Sequence, residues 1–267
     1  MGATREPEIA SELGSGGAAT VPLDLTLEYL RRYPERVLGI YLLAILPMTG
    51  AMLWLVDVVT AQRRSALPAV CVLLVAATVW RWVGQAMIQR RIQADLRREA
   101  PPQLRGSILP IIVVRALANF MITWGSLLII PALLGFWLAG FAAPMMLEEH
   151  GRSTRKFART WQWMQHGLTR LARTTSILLL LLLLVCLAVL GMHTLFLGTV
   201  LPSLLGIDVT ELQLTVSGAG WWLAIGYFVF LAFDLFWTVA SVMVFYDLRS
   251  SRLGTDLRAR LQELATT

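Results

Sequence analysis

Cysteine is scarce in this chain: there are two in 267 residues, Cys71 and Cys186. Each lies inside an apolar run and no CxxC spacing occurs, which excludes a disulfide framework or a thiolate metal site and predicts two buried free thiols. The three histidines, His150, His166 and His193, share no short ligand spacing and no HExxH is present, so no metal centre is expected. Glu148-Glu149-His150 is the densest candidate cation cluster, and its simpler reading is a solvated helix end. A Walker loop, a GxSxG elbow and a dinucleotide fingerprint are all missing. No cofactor and no enzymatic activity are therefore read from the sequence. The first twenty residues lack an apolar core, so no cleavable signal peptide is expected. With the Gly14–Gly17 stretch GSGG, residues 1–21 read as a disordered cytoplasmic tail.

What the chain does have is apolar length. Hydrophobic residues make up 57% of it and mean hydropathy is +0.65, both too high for an ordinary water-soluble domain. A membrane span needs about 20 apolar residues. Four runs qualify directly, at 38–59, 67–88, 176–197 and 221–245. A fifth run, 108–146, is about 58 Å long as one helix, against a hydrocarbon core of about 30 Å. It must reverse, and Gly125-Ser126 is the expected point, giving spans at 108–124 and 127–146. The fold class predicted is all-α: a polytopic bundle of six spans over residues 22–247, with amphipathic helices at the cytoplasmic interface and a cytoplasmic C-terminal helix over 248–267. No internal repeat is evident.

The distribution of basic residues supports that count. Only one lysine, Lys156, accompanies the arginines, and 19 of the 23 basic residues fall in segments that six spans place on one side. Arg63 and Arg64 face the other way, and Arg81 and Arg115 lie inside spans. Treating 108–146 as one span would export ten of these charges, against the positive-inside tendency. The termini are thus expected in the cytoplasm and the protein in a bacterial inner membrane. The net charge of +6 does not form a continuous stripe, so anionic headgroups are the expected partner rather than nucleic acid. Trp221 and Trp222 are placed as an interfacial belt.

Between the fourth and fifth spans, Phe157, Trp161, Met164, Leu168 and Leu171 recur at helical spacing, with Arg155, Lys156, Arg159, Arg170 and Arg173 on the other faces. Such a helix lies in the interface, either as a structural elbow packed on the bundle or as a binder of anionic lipid. Leu23, Leu25, Leu27 and Leu30 predict a similar helix before the first span. Thr255 or Asp256 is expected to cap a C-terminal helix carrying Leu253, Leu257, Leu261 and Leu264. These elements can form a cytoplasmic collar or offer leucines to a protein partner.

Three ionisable side chains sit deep in spans. At about 1.5 Å per residue, Arg81, Arg115 and Asp234 share one depth, and Gln85 and Asn119 follow the two arginines by four residues. A charge at a helix centre costs at least about 2.5–3.5 kcal/mol and usually faces a partner or a cavity. The layer reads either as a polar pathway or headgroup site, or as a structural ion pair with snorkelling arginines.

Two stretches carry a family resemblance. One is Pro144 to Glu148 (PMMLE), followed by Arg159-Thr160-Trp161 and Gly167. The other is Tyr246-Asp247-Leu248-Arg249, followed by Gly254-Thr255-Asp256-Leu257. Both resemble bacterial membrane proteins similar to the membrane domain of glycerophosphoryl diester phosphodiesterases. The likeness extends over 22–264, with Thr160, Glu149 and Leu253 departing from the pattern. In two-domain members the activity belongs to a separate barrel, for which this chain has no room. The resemblance therefore implies a stand-alone membrane module without the enzyme. The leading functional expectation is a non-catalytic protein anchoring or scaffolding a partner at the cytoplasmic membrane. The competing one is a transporter or lipid-handling protein using the intramembrane layer.

Overall fold

A computed structural model describes residues 21–97, 106–125, 129–148, 153–192, 203 and 219–266, with 219–224 and 250–266 described by their backbone path. The described residues are all-helical and contain no strand. The helices are α1 (Val21–Arg32), α2 (Pro34–Thr60), α3 (Leu67–Arg97), α4 (Ile108–Gly125), α5 (Ile129–Glu148), α6 (Ser153–His166), α7 (Leu168–Met192) and α8 (Ala219–Thr266). Four segments are long and apolar enough to cross a membrane: Pro34–Val59, Leu67–Leu96, Leu168–Val189 and Ile225–Arg249. Two shorter apolar segments, Ile108–Trp124 and Pro131–Leu147, lie in α4 and α5. The chain is a helical membrane protein.

Its exterior agrees with that assignment. Leu42, Leu43, Leu46 and Leu53 of α2 and Leu179, Leu180, Leu183 and Leu187 of α7 all face outward. In water such a surface drives aggregation, whereas hydrocarbon requires it. Cys71 and Cys186 belong to this exterior, so they are not the buried thiols expected.

Helices α5 and α8 form the centre, joined by Trp137, Phe141, Trp237 and Phe245 in one buried cluster. Small residues set the approach. A Cβ on Gly140 would lie 2.7 Å from Trp237 and 2.9 Å from Ser241, and one on Gly135 would lie 2.6 Å from the Ala118 carbonyl oxygen. Packing of this kind substitutes for the hydrophobic effect where lipid is the solvent. The same logic holds Gly84 of α3 against Ala44 of α2.

Several expectations change. The 108–146 run does divide, α4 ending at Gly125 and α5 starting at Ile129, with Ser126 outside the described residues. Helix α3 continues to Arg97 instead of stopping near residue 88. Helix α8 runs unbroken to Thr266, so neither Thr255 nor Asp256 caps a separate C-terminal helix. In α1 the buried face is Leu23, Leu25, Thr26 and Tyr29, while Leu27 is 57% exposed. Positions 23, 25 and 27 follow a period of two, which no α-helix can keep on one face. The stripe from Phe157 to Leu171 is interrupted at Gly167, where α6 passes into α7 through a turn. Met164 and Leu171 are buried and Leu168 is 58% exposed. A side chain on Gly167 would strike Leu248 of α8, so the glycine is what lets the elbow close on that helix. The 1–20 tail and most of the 198–220 loop lie outside the described residues.

A polar cavity between four helices

Prolines fix where backbone acceptors become available inside the bundle. Each proline within a helix removes the N–H that would satisfy the carbonyl four residues earlier. Pro47 in α2 frees the Leu43 carbonyl, which accepts from Trp80 Nε1 at 3.2 Å. Pro144 in α5 frees the Gly140 carbonyl, which accepts from Gln89 Nε2 at 3.1 Å. The second case brings a polar side chain of α3 to the centre of the molecule.

That side chain belongs to a continuous network. Arg115 of α4 is 3% exposed and reaches across to α3. Its Nη1 donates to Gln85 Oε1 and to the Trp82 carbonyl (3.4 Å), and its Nη2 donates to Gln89 Oε1 at 3.0 Å. Gln85 Nε2 donates to Asp234 Oδ1 of α8 at 2.7 Å. The Tyr41 hydroxyl of α2 donates to the Leu231 carbonyl at 2.7 Å and to Asp234 Oδ2 at 3.1 Å, one proton between two acceptors. Gln89 Nε2 further reaches Ser241 Oγ (2.8 Å) and the Thr238 carbonyl (3.2 Å). Gln85 is an amide bridge, with its oxygen turned to a cation and its nitrogen to an anion. A carboxamide supplies both an acceptor and a donor on one planar group without titrating.

These residues line a cavity of ≈ 140 Å³ between α3, α4, α5 and α8. Arg81, Gln85, Arg115, Asn119 and Asp234 all border it. Their pairing differs from a direct ion pair, because Asp234 meets Gln85 and Tyr41 rather than an arginine. Asn119 does not serve Arg115's side chain, and its Nδ2 turns back to the Arg115 carbonyl at 3.1 Å. Arg81 is partly exposed, stacks its guanidinium 4.9 Å above the Phe230 ring, and has Nε and Nη1 buried without a hydrogen-bond partner. Arg115 Nε is likewise buried and without a partner. The opposite wall is aromatic, with Phe136 stacked on Trp237 at 4.1 Å and on Phe233 at 6.2 Å.

Gln89, Tyr41 and Ser241 are the residues sequence reasoning missed. For Gln89 the signal was Gln85, Gln89 and Gln93 at four-residue intervals, one helical face that stays polar past residue 88. Gln93, the third rung, is 1% exposed with both amide atoms unpartnered.

A second set of charges lies towards one end of the bundle. Asp95 of α3 accepts from the Tyr29 hydroxyl at 2.8 Å and pairs with Arg36 at 2.9 Å and Arg91 at 3.9 Å. Burial, reinforced by the neighbouring Asp95, pushes the Tyr29 phenol above its ordinary value. Asp247, 1% exposed, pairs with Arg170 at 2.9 Å, tying α8 to α7. Lys156 donates to the Met146 carbonyl at 2.7 Å, a cation on the last turn of α5 where the helix dipole favours it.

The other residues singled out in the sequence are more dispersed. Arg155 and Arg159 are exposed, Phe157 and Trp161 stack at 6.4 Å, and Met164 joins the core. Tyr246 packs against three core clusters and Arg249 is partly exposed. Gly254 and Asp256 fall within α8, but their side chains, like that of Glu148, lie outside the described set, as does Glu149-His150. Among the described residues no group of three His, Cys, Asp or Glu converges as a metal site. No family model, curated protein or solved structure matches the chain.

Proposed function

We propose that the protein is a six-span protein of the cytoplasmic membrane, with both termini inside, which binds a ligand in its polar cavity as a transporter or lipid-handling protein. The carrying observation is the cavity itself, ≈ 140 Å³ lined by Arg81, Arg115 and Asp234. A bundle that only anchored a partner has no need for three charges at that depth, each costing at least about 2.5–3.5 kcal/mol. Orientation rests on the arginines, and the two shorter helices α4 and α5, about 27 and 30 Å long, are close enough to the core thickness to count as spans.

The cytoplasmic helices support this reading more than the anchoring one. Leu23, Leu25, Tyr29, Met164 and Leu171 are buried against the protein's own bundle, as a structural elbow requires. The anchoring reading keeps one support, the extension of α8 to Thr266 with Leu253, Leu257, Leu261 and Leu264 at helical spacing. The likeness to glycerophosphoryl diester phosphodiesterase membrane domains stays a proposal on its motifs, of which Asp247 and Tyr246 have structural contacts of their own.

Native mass spectrometry of the chain purified in mild detergent tests the cavity. A stoichiometric small molecule or lipid is expected with the wild type and lost in Ala139→Leu, which fills the cavity from α5. A chain that retains nothing, even from lipid-supplemented detergent, sinks the reading. A stoichiometric protein partner with an empty cavity would favour anchoring.

A further inference from the structure

Resting on that reading of the cavity, we propose that its ligand carries a singly charged phosphate oxyanion, held between Arg81 and Arg115. The charged residues of the lining are Arg81, Arg115 and Asp234, so the cavity has one positive charge in excess. Its hydrogen-bonding balance has the same sign. Both Asp234 oxygens already accept, from Gln85 Nε2 and from the Tyr41 hydroxyl. Arg115 Nη1 and Nη2 are engaged by Gln85, Trp82 and Gln89. What is left buried without a partner is a set of donors, Arg81 Nε and Nη1 and Arg115 Nε.

Donors in excess select a ligand of acceptors, and a cation or an ammonium head meets the wrong sign. Guanidinium has no acceptor and does not deprotonate, so the donor character is fixed at every physiological pH. A phosphate monoanion offers several acceptor oxygens to the two arginines that border the cavity, the pairing for which arginine is suited. It would also bring the site to neutrality, removing the cost of an unbalanced cation in low dielectric. Asp234 borders the same cavity, but both of its carboxylate oxygens are already occupied by donors from Gln85 and Tyr41. Phe136, Phe233 and Trp237 supply an apolar wall on which the hydrocarbon part of a phosphate ester can lie. The phosphate can come from a lipid headgroup or from free phosphate, and the experiment separates the two.

The chain, in neutral detergent, is titrated with phosphatidylglycerol, phosphate-free diacylglycerol and inorganic phosphate, and bound stoichiometry is read by native mass spectrometry. Phosphatidylglycerol is expected at one copy per chain, with phosphate-free diacylglycerol at least about tenfold weaker, the factor expected for losing a charge-assisted interaction. Phosphatidylglycerol bound without competition from millimolar inorganic phosphate identifies a lipid. Inorganic phosphate bound alone identifies the free ion, and either result supports the oxyanion. Arg81→Gln is expected to weaken the bound species about tenfold while leaving the Arg115 network and the melting temperature unchanged. If that variant does not fold, Arg81→Lys, which keeps the charge and loses the Nε–H donor, reads the same contact. Equal binding of phosphatidylglycerol and the phosphate-free diacylglycerol, or binding indifferent to Arg81, overturns the oxyanion. A retained ligand that carries no phosphate does so too, while leaving a ligand-binding cavity intact. Retention of nothing removes both.

Discussion

Two clusters of arginine and aspartate occupy this molecule, and they solve the same electrostatic problem differently. At the end of the bundle, Asp95 meets Arg36 directly at 2.9 Å and Asp247 meets Arg170 at 2.9 Å. Inside the bundle, a glutamine stands between Arg115 and Asp234. Arg170 and Asp247 cancel one another in direct contact, and Asp95 is shared directly between Arg36 and Arg91. The bridged arrangement satisfies the carboxylate with neutral donors and keeps the second arginine, Arg81, uncommitted to any acid. The difference is one of contact: a glutamine hydrogen-bonds a buried cation and a buried anion at once while holding them apart.

Breaking the bridge is expected to have the largest effect. Gln85→Leu strands a buried guanidinium and a buried carboxylate together, so a loss of about 3–5 kcal/mol is expected, read as thermal denaturation in detergent. A stability loss below about 1 kcal/mol would mean the two charges are not held through the amide. Next is Gly140→Ala, whose new methyl would sit 2.7 Å from Trp237. It should cost about 1–3 kcal/mol by overpacking, visible in the same melting curve. Asp247→Asn tests the direct pair that ties α8 to the elbow. With Arg170 partly in solvent, about 1–2 kcal/mol is expected, and a loss as large as that of Gln85→Leu would erase the contrast between the clusters. The smallest effect belongs to Asp95. Arg36→Gln should lose about 0.5–1 kcal/mol, less at high salt.

A pH scan sharpens the same contrast. The folded Tyr29 phenol is raised above its unfolded value of about 10. Its contribution is therefore complete below pH ~10 and declines as pH rises towards the folded value. Tyr29→Phe should remove that part of the alkaline destabilisation, and an unchanged alkaline profile would deny the contact with Asp95.

Much of this was legible in the chain. The reversal within 108–146 followed from length and charge, and the cavity residues Arg81, Arg115 and Asp234 followed from the cost of burying charge in lipid. The partners of those charges were not legible, for physical reasons. Ending the second span at residue 88 assigned Gln89 to a loop, because an apolar window falls off where the helix turns polar, although the helix itself runs on to Arg97. Tyr41 carries no pattern of its own in an apolar run. Its role depends on which face of α2 meets α8, and tertiary packing decides that. The elbow misled in the opposite direction. A regular stripe from Phe157 to Leu171 assumed one helix, whereas a turn at Gly167 separates α6 from α7, with Leu248 in the space a side chain there would take.

Helix α8 joins the two clusters. Asp234 and Asp247 are about 20 Å apart along one unbroken rod that continues to Thr266. A hydrogen-bonded helix is stiff along its axis, so a shift where the carboxylate meets Gln85 is carried to the anchor at Arg170 and onward to the end of the chain. The two clusters are thus fixed in phase by a single piece of backbone. A spectroscopic label on the final turns of α8, far from the cavity, is accordingly a natural place to read whether the cavity is occupied.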